Sequence, residues 1–201
     1  MLPKKSPAPS PLYLLAVELL VLTIILVVSH PLPVNASLDF SQFYIDLFGI
    51  LRGDGIYDQI AHSSRYATST VTEPIVLNPP AYPPWYYILF LPLGAFSLDT
   101  SSQIWAWCNI FMFAAAIMLL TKGLTPRIRA LIAILAMCSA PFIGHVVIGQ
   151  QTIILALGLA LILASTKRQS ALLVAGGLLL LTFKPHLGIP LAGAILAWII
   201  V

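Results

Sequence analysis

Apolar runs fill most of this chain, and one long polar stretch divides the first run from all the others. The first run, Leu12–Val28, is about long enough to cross a bilayer at ~1.5 Å per residue. After the break from His30 to Pro84 come Trp85–Leu98, Ile104–Thr121, Ala130–Ile148, Thr152–Ala164, Ala171–Phe183 and Leu187 to the end. This pattern predicts an all-α polytopic membrane protein with an extracytoplasmic loop containing short amphipathic helices. Inside the loop, Phe40, Phe43, Tyr44, Leu47, Phe48 and Leu51 recur at helical spacing. They predict an amphipathic helix of roughly three turns, with Asp39 as its N-cap and Gly53 and Gly55 as its stop.

The corresponding organisation is a cytoplasmic tail over 1–11, a first transmembrane helix over 12–29, an acidic loop over 30–84 and a helical bundle over 85–201. Lys4 and Lys5 ahead of the first run keep the N-terminus cytoplasmic, so the loop lies outside the cytoplasm. Glu18 interrupts that run and no clean small-residue cleavage site follows it, which favours an uncleaved anchor over a signal peptide. Asn35-Ala36-Ser37 has the form of a glycosylation sequon, meaningful only in a eukaryotic secretory membrane.

Several runs are short for a full span. If Trp85–Leu98 is a partial or re-entrant segment interrupted by Pro92 and Gly94, the basic residues Lys122, Arg127, Arg129, Lys167 and Arg168 fall inside. That arrangement also brings Gly149-Gln150-Gln151 and Lys184-Pro185-His186 to the side of the acidic loop. The last run stops at Val201 without a charged or aromatic flank, the mark expected of a truncated bundle.

Composition agrees with the pattern. Hydrophobic residues make up 59% of the chain and charged residues 8%, against about a quarter charged in soluble domains. Mean hydropathy is +0.96. The net charge of +3 comes from dispersed basic residues beside apolar runs, which is no nucleic-acid signature. Cys108 and Cys138 fall within apolar runs and read as small buried hydrophobes.

The charge is nonetheless unevenly placed. Five of the seven acids, Asp39, Asp46, Asp54, Asp58 and Glu73, lie between His30 and Pro84, opposed only by Arg52 and Arg65. Asp46 follows Asp39 by about two turns, so the two could converge or both face water. Asp54 and Asp58 flank turn residues, and a turn role suffices for them. Arg52 is expected to pair with a neighbouring acid, and Lys184 to reach a polar boundary from the end of a run. No His/Asp spacing resembles a metal cage, and no glycine-rich strand–loop–helix that would hold a nucleotide is present. Whether a divalent metal assists is left open.

The order of several short motifs resembles the membrane mannosyltransferases of glycosyltransferase family 87. These are Asp39-Phe40 with Tyr44, Leu51-Arg52-Gly53 with Tyr57-Asp58, and Tyr82-Pro83-Pro84 followed by Pro92-Leu93. Later come Gly149-Gln150, then Gly176-Gly177 running to Phe183-Lys184-Pro185. The resemblance implies a GT-C-like helical bundle, matched here over about the N-terminal half of such an enzyme. It also implies a polyprenyl-phosphate sugar as donor substrate, no dedicated cofactor, and a catalytic carboxylate in the first extracytoplasmic loop, where Asp39 stands. Lys184, His186, Arg52 and Gln150 are the candidates for the donor phosphate or substrate, with Asp46 and Asp58 as secondary acids. The implied partners are membrane lipids, the lipid-linked donor and a glycan or glycolipid acceptor, in a plasma membrane of bacterial type. A transporter or lipid-handling protein is the rival class, although charge gathered in one loop rather than along a conduit argues against it. An inactive half-bundle is a third possibility.

Overall fold

A computed structural model describes residues 38–55, 57, 82–166 and 170–200. The predicted first span, the sequon and Asp58 lie outside the described residues. Among the described residues the fold is all helical. Its elements are α1 (Leu38–Leu51), α2 (Pro84–Phe90), a 3-10 turn (Leu91–Ala95), α3 (Leu98–Leu120), α4 (Pro126–Met137), α5 (Ala140–Ile148), α6 (Ile153–Thr166), α7 (Ala171–Leu181) and α8 (Pro185–Ile200).

The loop helix exists, but its burial is not confined to the apolar face. Phe40, Phe43, Tyr44 and Leu47 are buried as the spacing requires, yet Ser41, Ile45 and Asp46 are buried too. Periodicity identifies one apolar face and does not show that the opposite face is also covered. Leu51, the last residue of the predicted stripe, is instead exposed. The helix starts at Leu38, so Asp39 occupies its first turn rather than its cap. Gly53 at φ +89° ends it, with the Asp54 backbone N–H donating to the Gly49 carbonyl at 3.1 Å.

The segment after the loop is broken as Pro92 and Gly94 suggested. Pro83 and Pro84 start α2, and the chain then tightens into the 3-10 turn. Gly94 in that turn lies against the backbone of Leu47, where a Cβ would come within 2.8 Å of the Leu47 carbonyl carbon. Ser97 then caps α3 by accepting from the Thr100 backbone N–H at 3.3 Å.

Helix α3 is long and apolar enough to cross a membrane. The run predicted as one segment over Ala130–Ile148 is two helices, α4 and α5, bent by 52° and together able to pass the same test. The break follows from Ser139 and Pro141. Ser139 accepts from the Phe142 backbone N–H at 3.3 Å, and Pro141 has no N–H to continue the preceding helix. Helices α6 and α7 are shorter apolar helices. They pack at their glycines: a Cβ on Gly177 would lie 2.6 Å from the Gly158 carbonyl oxygen. The cysteines, expected to be buried, are less so: Cys108 is half-buried and Cys138, at the α4–α5 break, is exposed.

The main core lies where α1, α2 and the 3-10 turn meet the start of α3. It holds Phe40, Phe43, Tyr44, Tyr86, Tyr87, Trp105 and Phe183. Two further cores lie along α3–α6 and along α6–α8.

Candidate active site

The α5–α6 connection is brought to α1 by glycine. Gly149 ends α5 at φ +73°, and a Cβ there would fall 2.5 Å from the Phe40 Cβ. Its carbonyl accepts from Trp105 Nε1 at 3.0 Å, and the Trp105 ring stacks on Phe40 with centroids 5.9 Å apart. Gly149 therefore sits between α1 and α3, touching Phe40. The residues next in sequence on each side, Gln150 and Asp39, consequently meet.

Gln150 Nε2 donates to Asp39 Oδ2 at 2.5 Å. The other end of the amide faces a cation. Lys184 Nζ donates to Thr152 Oγ1 at 3.0 Å and approaches Gln150 Oε1 at 3.5 Å, and Thr152 Oγ1 donates to the same oxygen at 3.2 Å. Three segments distant in sequence thus contribute a carboxylate, an amide and an ammonium to one polar chain.

Lys184 is held there by its neighbours. Phe183 is buried with its ring centroid 5.1 Å from that of Tyr86, and Thr182 accepts from Trp85 Nε1 at 3.2 Å. These contacts fix the α7–α8 junction on α2. Burial pulls the Lys184 ammonium below its ordinary value, and the nearby Asp39 charge partly restores it. Lys184 therefore turns inward to polar partners instead of reaching outward from the end of a run.

The other predicted residues go elsewhere. Asp46 is buried and accepts from Tyr87 Oη at 3.2 Å, a bond within the aromatic core. Arg52 is exposed, with its guanidinium carbon 4.2 Å from the Phe48 ring centroid, and among the described residues no ion pair joins it to an acid. His186 is exposed in the first turn of α8. Among the described residues, no hydrogen bond joins Arg52 or His186 to the Asp39–Gln150–Lys184 chain.

Four neighbours of the chain, Tyr82, Thr152, His145 and Gln151, were not among the predicted site residues. Tyr82 is half-buried, its ring 4.8 Å from that of Tyr86. Burial, then the Asp39 and Asp46 charges, push its phenol up to about 12. Thr152 follows Gln150 by two residues and orients it. Among the described residues, His145 Nε2 and both ends of the Gln151 amide are buried without a hydrogen-bond partner. A polar cluster at the end of an apolar run was the signal available for these residues. Among the described residues no three His, Cys, Asp or Glu side chains gather as a metal cage would require.

The described residues are all helical, with one helix of spanning length and an acid–amide–cation chain at a helix junction. The chain belongs to glycosyltransferase family 87, whose family model matches residues 81–199, more than half of it. Membership implies a membrane glycosyltransferase. The matched stretch contains Gln150, Thr152 and Lys184, while Asp39 and the rest of α1 precede it. No curated protein and no solved structure matches the chain.

Proposed function

We propose that this protein is a polytopic glycosyltransferase that moves a hexose, in our reading mannose, from a polyprenyl-phosphate donor to a glycan or glycolipid acceptor. The transfer takes place on the extracytoplasmic side of a bacterial plasma membrane and inverts the anomeric centre. The observation that carries this reading is the Asp39–Gln150–Lys184 chain, which puts a carboxylate and an ammonium on either end of one amide in a chain of this family.

The chemistry needs both ends. An acceptor hydroxyl attacks the anomeric carbon and forms the new C–O bond. The bond from that carbon to the phosphate oxygen breaks, and its electron pair leaves with the lipid phosphate. Asp39 takes the acceptor proton, a role typically contributing 10²–10⁴-fold in rate. The departing phosphate needs a cation or hydrogen-bond donors, and Lys184 has both. Arg52 and His186 stand further back in this scheme. Asp46, bonded to Tyr87, is given a structural part.

The test is transfer from polyprenyl-phosphate mannose by the protein in membranes, compared with Asp39→Asn. The expected result is a fall in turnover of about 10²–10⁴-fold with folding intact. Unchanged turnover in folded Asp39→Asn would remove Asp39 from the mechanism. Running the same assay with the corresponding glucose donor decides the sugar.

A further inference from the structure

We infer that Gln150 is a positioning residue that acts as a neutral spacer, keeping the Asp39 carboxylate and the Lys184 ammonium from closing into a contact ion pair. This rests on the reading of Asp39 as base and Lys184 as phosphate contact, and goes beyond it by giving Gln150 a part that is not substrate binding.

The argument begins with what each group has to spare. An ammonium carries three donors. Lys184 uses one on Thr152 at 3.0 Å and directs another, at the 3.5 Å limit, to Gln150 Oε1. A carboxylate accepts at two oxygens, and Gln150 fills only Oδ2 of Asp39. Among the described residues Lys184 reaches Asp39 only through the amide, with no direct bond or ion pair between them. Both groups therefore keep unused capacity on the side away from Gln150.

An amide suits this position because it is a donor at one end and an acceptor at the other. It offers N–H to the anion and C=O to the cation, and carries no charge to neutralise either. A direct pair at a half-buried site would be tight, since solvent screens it poorly. It would also disable both groups, because a carboxylate bound to an ammonium is a weaker base. An ammonium bound to a carboxylate likewise has less charge to offer a phosphate.

The surroundings keep the amide in register. Gly149 is pressed against Phe40, so the Gln150 backbone cannot slide along α1. The Gln150 backbone N–H donates to the His145 carbonyl at 3.0 Å. Thr152 Oγ1 donates to Oε1 while accepting from Lys184, which fixes which end of the amide faces which charge.

The experiment is zero-length carbodiimide cross-linking of the membrane-embedded protein, read by mass spectrometry of the peptides containing Asp39 and Lys184. The wild type should give background yield because no contact pair exists. Gln150→Ala should raise the cross-link well above that background as Lys184 closes on Asp39. Gln150→Glu should leave it at background, since the introduced carboxylate holds Lys184 itself. Transfer should fall about tenfold or more in both variants. Adding Lys184→Gln to Gln150→Ala should cost no further turnover, because the pair already disables both groups, whereas a merely structural role gives additive losses. Gln150→Asn, too short to bridge, supplies the cross-linking result if Gln150→Ala fails to fold. A background yield in every folded variant overturns the spacer. Since cross-linking does not depend on transfer, retained turnover in Asp39→Asn would count against the proposed function alone.

Discussion

The junction of α1, α2 and the start of α3 and the hairpin of α6 and α7 solve the same burial problem with different materials. The junction buries aromatic rings in edge-on and tilted contacts, such as Phe43 against Tyr86 at 4.9 Å and Phe90 against Trp105 at 5.1 Å. Many of those rings carry a polar atom that needs a partner: Tyr44 Oη donates to the Phe96 carbonyl, Tyr87 Oη to Asp46 and Trp105 Nε1 to the Gly149 carbonyl. The hairpin buries Leu155, Ala160, Ile162 and Leu181, and brings two backbones together at Gly158 and Gly177. Neither of its helices contains a titratable side chain. Aliphatic packing needs only shape and closeness, and Ser165, a polar side chain buried in the hairpin, donates back to the Ile162 carbonyl of its own helix instead of facing the site. Aromatic packing with polar handles fixes direction as well as volume. The side chains suited to chemistry border the junction for that reason.

Two glycine substitutions should separate the regions. Gly149→Ala should have the larger effect, since the new Cβ meets Phe40 and the residue must hold φ +73°. Overpacking costs typically about 1–3 kcal/mol, and left-handed backbone adds roughly 1–2 kcal/mol for a residue with a Cβ. Displacing Gln150 from Asp39 by even ~1 Å should lower turnover by about 10²-fold. Thermal unfolding and transfer per folded molecule measure the two consequences, and turnover at the wild-type level would detach the Gly149 contact from the site.

Gly177→Ala should cost only stability. Its Cβ would meet Ile162 Cγ1 at 2.5 Å and the Gly158 carbonyl oxygen at 2.6 Å, so the helices must separate, at about 1–3 kcal/mol. Transfer per folded molecule should match the wild type because the hairpin contributes no group to the polar chain. Gly176→Ala, with nothing within 4 Å of its Cβ, is the neighbouring control and should be neutral or slightly stabilising. A loss of turnover with Gly177→Ala at preserved folding would join the two regions functionally.

The hairpin was the more legible region in the sequence, because long aliphatic runs ending near charges define helices without reference to anything else. The junction was legible in its residues and not in its arrangement. Asp39, Gln150 and Lys184 could be named from motifs, and the re-entrant reading already put them on one side. Their bonding order depends on Gly149 touching Phe40, a contact across more than a hundred residues that no local pattern encodes. The coverage of both faces of α1 was hidden for the same reason. Part of its second face is covered by α2, whose Tyr87 bonds Asp46, and α1's own periodicity cannot report on elements that come later in the chain. The break at Ser139 and Pro141 was different. It was written locally, in a serine two residues ahead of a proline, and an apolar run that continued on both sides obscured it.

The smallest expected effect tests the electrostatic side of the comparison, at alkaline pH. Tyr82 borders the polar chain, and its phenol is pushed from 10.0 up to about 12 by burial and then by the Asp39 and Asp46 charges. The sign follows from proton counting. Below pH ~10 the phenol is protonated in both folded and unfolded chains and contributes no pH dependence. Between about 10 and 12 the unfolded chain releases this proton while the folded chain keeps it, so stability falls as pH rises through that window. Tyr82→Phe should remove this share of the alkaline loss. The stability difference between wild type and Tyr82→Phe should be flat below pH ~10 and then shift in favour of the variant. Denaturant unfolding at a series of pH values measures it. A difference that stays flat to pH ~12 would mean that neither burial nor the two carboxylates raises the Tyr82 phenol. Gly177→Ala supplies the contrast, because a substitution inside the aliphatic hairpin should shift stability by the same amount at every pH in the series.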